Sequence, residues 1–143
     1  MRKKSLAVAG VTALVSVGMT TAAFGESNII SIKRFAHLSA SHRIVFVGAR
    51  VVCSPDTTSA DLSVTLTEVT HGNVQTNTGE VSNINSFECS GNTQTVRIPV
   101  RRPTGGFNWV TGNARASDLN FTTTDPSNTF RDHASGRTVT VVK

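Results

Sequence analysis

From His42 to Cys53 hydrophobic and polar positions alternate: Val45, Val47, Ala49, Val51 and Cys53 fall on one face of an extended segment, Gly48 and Arg50 on the other. Such a period of two predicts a strand with its apolar face in a core, which points Cys53 inward. Ser54-Pro55-Asp56 supplies turn chemistry, and Leu62, Val64 and Leu66 then alternate with Ser63, Thr65 and Thr67 in a second strand with one wet face. His71-Gly72-Asn73 predicts the next turn, and Val74–Val81 a polar strand at a sheet edge. Phe87 and Cys89 alternate inward, and Gly91-Asn92 turns the chain into Thr93–Val100, where Val96, Ile98 and Val100 face the core and Pro99 marks an outward or edge position. Phe107, Trp109, Ala114 and Ala116 predict a further strand, with Gly112-Asn113 as a bulge or turn and Trp109 packed beside Phe107. Asp125–Gly136 reads as a long polar loop, Thr138–Val142 as the last strand and Ile29–Phe35 as the first. No segment carries apolar residues at helical spacing for more than a turn.

About seven to eight strands at this spacing predict an all-β fold, an immunoglobulin-like β-sandwich of antiparallel strands rather than parallel β-α-β units. The chain resembles small secreted actinobacterial proteins with an immunoglobulin-like sandwich and no assigned function. The resemblance rests on Gly48–Cys53 (GARVVC), Leu62–Thr67 (LSVTLT), Cys89–Val96 (CSGNTQTV) and Arg137–Val142 (RTVTVV), and it spans about Arg43 to Lys143. It implies a fold and no activity. Antibody-type domains place a Trp between their cysteines and a Tyr just before the second. Here the single Trp follows Cys89, and the chain has no Tyr.

Arg2, Lys3 and Lys4 precede an uncharged stretch from Leu6 to Ala23, and Ala23-Phe24-Gly25 offers small residues where a signal peptidase reads. The expected organisation is a signal peptide over 1–25 and one secreted domain over 26–143. After cleavage the domain has no membrane segment and is expected to be a freely released monomer. In an exported chain an even cysteine count predicts a disulfide, here Cys53 with Cys89. Removing the leader takes three of the 14 basic residues, which leaves 11 against nine acidic ones. That weak excess, with Arg97, Arg101 and Arg102 as its only local cluster, does not predict nucleic-acid binding.

Candidate chemistry is sparse. His37, His42, His71 and His133 have no metal-pair spacing, and HExxH and paired-cysteine motifs are missing, so neither a metal nor a cofactor is expected. A Gly-x-Ser-x-Gly turn is absent, and the nine acidic residues nominate no glycosidase pair. Asp125-Pro126-Ser127-Asn128 fits a turn better than a calcium loop, and Asn120-Phe121-Thr122 matches a glycosylation acceptor that a bacterial leader makes incidental. The chain is therefore not expected to be an enzyme. The leading expectation is a secreted module that binds a protein or glycan at the cell surface through its polar loops, with Arg101, Arg102 and Phe107 as anchor. That idea loses its named residues if the three side chains are buried or dispersed. The alternative is an assembly subunit in which Thr138–Val142 or Ile29–Phe35 completes a neighbour's sheet, and a hydrolase ranks third.

Overall fold

The structure, a computed structural model, describes residues 28–143, so the leader expected over 1–25 lies outside the described residues. Nine strands form among the described residues: β1 (Asn28–Ile32), β2 (Phe35–Leu38), β3 (Ile44–Val52), β4 (Ser59–Thr70), β5 (Asn73–Val81), β6 (Gln94–Arg101), β7 (Gly112–Thr124), β8 (Thr129–Ala134) and β9 (Arg137–Val142). The fold is all-β, as the alternation predicts, but mixed rather than wholly antiparallel, because β2 pairs parallel with β9.

Two strands organise the pairing. β3 takes β6 along one edge and β1 followed by β2 along the other. β7 takes β4 along one edge, and β9 and β8 along the other. β5 completes the β4 side, and the β2–β9 pair joins the two groups. The breaks that divide these edge strands are local: Lys33-Arg34 separates β1 from β2, and Ser135-Gly136 separates β8 from β9.

The inward positions of β1, β2, β3, β4, β6, β7 and β9 form one core. Val45, Val47, Val51, Leu62, Val64, Leu66, Ile98, Val100, Leu119, Phe121 and Val139 are all fully buried. Each such side chain contributes about 1.5–3 kcal/mol relative to an exposed position. The wet face of β4 and β5 is tied by threonine pairs across the ladder, Thr65–Thr78 at 2.8 Å and Thr67–Thr76 at 3.0 Å.

Three expectations need correction. The polar stretch Asp125–Gly136 is not a loop throughout. Asp125 Oδ1 accepts the Ser127 and Asn128 N–H groups, both at 2.7 Å, and closes a tight turn, after which Thr129–Ala134 pairs along β7 as β8. Phe107 and Trp109 precede β7 instead of lying in it, and the β7 bulge sits at Asp118, which has a φ of 50°, not at Gly112-Asn113. Cys89 lies outside any strand, just after the 3-10 turn Ile84–Ser86 that Asn83 caps through its side chain. The Cys53–Cys89 disulfide therefore clamps the end of β3 to the crossover from β5 into β6, and it does not bridge two strands.

The side of the molecule between β5 and β6 is closed by close backbone approach. A Cβ on Gly79 would collide with the Pro99 carbonyl, so glycine is required there, and Asn77 Nδ2 donates to the Arg101 carbonyl at 2.7 Å. Pro99 belongs at such an edge, since it has no N–H to leave unpaired. On the opposite side the Ile29 N–H donates to Asp132 Oδ2 of β8 at 2.7 Å.

Candidate functional site

Arg101, Arg102 and Phe107 sit in different surroundings. Arg101 is exposed at the end of β6, opposite Ile44. Arg102 is half-buried and donates to Asn108 Oδ1 at 2.7 Å. The turn at Pro103–Gly106, closed by the Gly106 N–H donating to the Pro103 carbonyl, then leads into Phe107. Phe107 is half-buried in a depression of about 280 Å³ that it shares with Thr70, His71, Asn73, Asn108 and Val110.

Two buried polar side chains hold this 102–111 connection in place of a strand ladder. Gln75 donates to the Phe107 carbonyl at 2.8 Å and accepts its N–H at 3.1 Å, and Glu68 Oε2 accepts the Val110 N–H at 3.2 Å. Glu68 is enclosed at the inward-facing end of β4, and neither its Oε1 nor the Thr70 hydroxyl completes a hydrogen bond. Burial raises the Glu68 pKa from its usual 4.5, and the Val110 N–H and Thr70 hydroxyl, which favour the charged form, offset only part of the rise. The folded state therefore holds the Glu68 proton more tightly than the unfolded chain. Its contribution to stability is complete below the unfolded pKa and is lost as pH rises through the higher folded value. Glu68→Gln should keep the geometry without the charge. Thermal melts are expected to show the variant more stable than the parent at pH 8 and no difference at pH 4.

A different face gathers functional chemistry. On the outward side of β3 and β6 the cross-strand neighbours are Ile44 with Arg101, Phe46 with Pro99, Gly48 with Arg97, and Arg50 with Thr95. β2 adds His37 opposite Phe46. Lys33 joins this face because its N–H donates to the Gly48 carbonyl at 2.8 Å. Its side chain lies across Gly48, where a Cβ would meet Lys33 Cγ. The result is an open trough of about 270 Å³ lined by Lys33, Phe35, His37, Phe46, Gly48 and Arg97, with Thr95 at its rim. A second depression of about 530 Å³ shares Phe46, Thr95 and Arg97 and continues past Pro99 to Val81 and Ser86. Phe46, Thr95 and Arg97 thus border both hollows.

Each phenylalanine ring in the trough carries a guanidinium. The Arg97 guanidinium carbon stands 4.6 Å from the Phe46 ring centroid, and that of Arg34 stands 5.4 Å from Phe35, an exposed residue. Charge is segregated around this face. Residues 28–52 and 94–117, which include β1, β2, β3 and β6, contain no Asp or Glu, yet they hold Lys33, Arg34, Arg43, Arg50, Arg97, Arg101, Arg102 and Arg115. The acidic residues belong to other segments: Asp132 meets the Ile29 N–H of β1, and Asp61 and Glu80 adjoin across β4 and β5. There the Glu80 pKa is raised by a hydrogen bond with Asp61 and by its charge.

Among the described residues no group of three or more His, Cys, Asp or Glu is placed to hold a metal ion, and no helix is long and apolar enough to cross a membrane. No protein-family model matches the chain, and no curated protein matches it either.

Proposed function

We propose that this is an exported, non-enzymatic binding module whose ligand face is the cationic trough on β2, β3 and β6, carried on an immunoglobulin-like sandwich. The sandwich reading is supported by the division of the strands into a β1–β3–β6 group and a β5–β4–β7–β9 group with one common core. Export is supported by the leader-like N-terminus and by the disulfide. The single observation that carries the binding reading is the Lys33–Gly48–Arg97 row, a paired cation site on a rigid sheet with no carboxylate beside it. The strand-addition alternative draws no support from the pairing. β5 lies against β6 and β1 against β8, so those sheet edges face each other instead of a neighbouring molecule.

Co-sedimentation tests the reading. Protein collected from the medium of cells producing the full chain is expected to pellet with their envelope fragments, and Lys33→Ala/Arg97→Ala to remain in the supernatant. Equal pelleting of both proteins, or of neither, would contradict it.

A further inference from the structure

Resting on that binding face, we infer that its ligand is an anionic polysaccharide, held by its carboxylate or phosphate oxyanions between Lys33 and Arg97. Gly48 lies between the two cations with only the aliphatic stem of Lys33 running across it, and Lys33 and Arg97 border the same trough. A guanidinium offers parallel N–H donors that match the two oxygens of such a group, and an ammonium supplies a second charge without a directional demand.

The Phe46 ring positions this clamp. Arg97 is exposed, and an unsupported arginine there would lose much side-chain freedom on binding. Stacked at 4.6 Å on a half-buried ring, the guanidinium is already oriented when the ligand arrives.

The same stacking separates a glycan from a single-stranded nucleic acid. Nucleic-acid modules on β-sheets leave aromatic faces free for bases. Here Phe46 and Phe35 each carry an arginine, so the face offers cations where a base would need a ring. Length follows from adjacency, because Phe46, Thr95 and Arg97 border both hollows. A chain of sugars can occupy both, with anionic groups at Arg97 and Lys33 and uncharged ring faces against Pro99 and Val81.

The test is an affinity titration of the purified, oxidised protein against polygalacturonate, phosphorylated dextran, neutral dextran, a thymidine oligonucleotide and phosphatidylglycerol vesicles. Binding to either anionic glycan is expected, weakening as salt rises from about 50 to 500 mM. Arg97→Ala should reduce it about tenfold or more, whereas Arg131→Ala, an equal charge loss on β8, should leave it within about twofold. Phe46→Leu should lower affinity several-fold with no change in charge, a loss that a purely electrostatic face would not show. Thermal melts verify that each variant is folded. Equal affinity for neutral dextran, tighter binding to the oligonucleotide or vesicles, or an equal loss in Arg131→Ala would overturn the inference. Envelope co-sedimentation with no binding to either anionic glycan would sink the ligand class and leave the binding face standing. Loss of both would sink the two together.

Discussion

Trp109→Ala is expected to destabilise the domain by about 3–5 kcal/mol, the range for removing a large aromatic side chain from a packed core. Trp109 is fully buried although it belongs to no strand. Its indole N–H donates to the Val100 carbonyl at 3.1 Å, and its backbone N–H donates to the His42 carbonyl at 2.9 Å. The side chain pins the 102–111 connection into the end of the core, while Gln75 and Glu68 hold the neighbouring backbone. The truncation leaves both a cavity and a carbonyl that has lost its donor. For a domain of this size the melting temperature should fall by roughly 12–20 °C, read by far-ultraviolet circular dichroism. Trp109→Phe keeps most of the volume and should cost about half as much. A loss below about 1 kcal/mol for the alanine variant would show that the connection does not depend on this plug.

Removing the disulfide is expected to cost a similar amount. Cys53 and Cys89 are 36 residues apart, and closing a loop of that size restrains the unfolded chain by about 4 kcal/mol on the chain-entropy estimate. The enclosed segment contains β4 and β5, so a chain without the bridge must bring β6 back to β3 across both strands unaided. Cys53→Ala/Cys89→Ala should unfold roughly 12–16 °C lower, which is a large share of the 5–15 kcal/mol typical of a single domain. Alanine suits the fully buried Cys53 better than serine, which would add an unpaired hydroxyl. Denaturation in guanidinium chloride measures the difference, and coincident midpoints would contradict the loop argument.

Legibility in the sequence followed burial. β3, β4 and β6 bury alternate apolar residues, so their period of two shows in the chain, and the turns at Ser54–Asp56 and His71–Asn73 carry residues that announce them. β8 was hidden because its positions alternate between exposed and half-buried, with none in the core. Its strand form comes from the ladder with β7, a partner found only in three dimensions. The parallel β2–β9 pair joins residues about a hundred positions apart and leaves no local signal. Phe107 and Trp109 suggested a strand by their spacing, but side chains from β4 and β5 bind that backbone instead.

The same distinction applies to the site. Arg101, Arg102 and Phe107 are near one another in sequence, and the fold gives each a different setting, with Arg102 bonded to Asn108 and Phe107 held by Gln75. Lys33, Phe46 and Arg97 come from three separate segments, and pairing brings them together. One trace was available in the chain. Phe46 takes an outward position between the inward Val45 and Val47, where a half-wet strand ordinarily carries a polar residue. The absence of acidic residues from 28–52 and 94–117 was also present in the sequence, and it acquired meaning once those stretches proved to be neighbours.

The most direct measurement is a two-dimensional amide NMR titration of the oxidised protein with polygalacturonate. Shifts are expected to concentrate at Lys33, Phe35, Phe46, Gly48, Thr95 and Arg97, with the β4–β5 face unmoved. Shifts centred on Phe107 and the 102–111 connection, or spread evenly over the surface, would contradict the assignment of the ligand face to β2, β3 and β6.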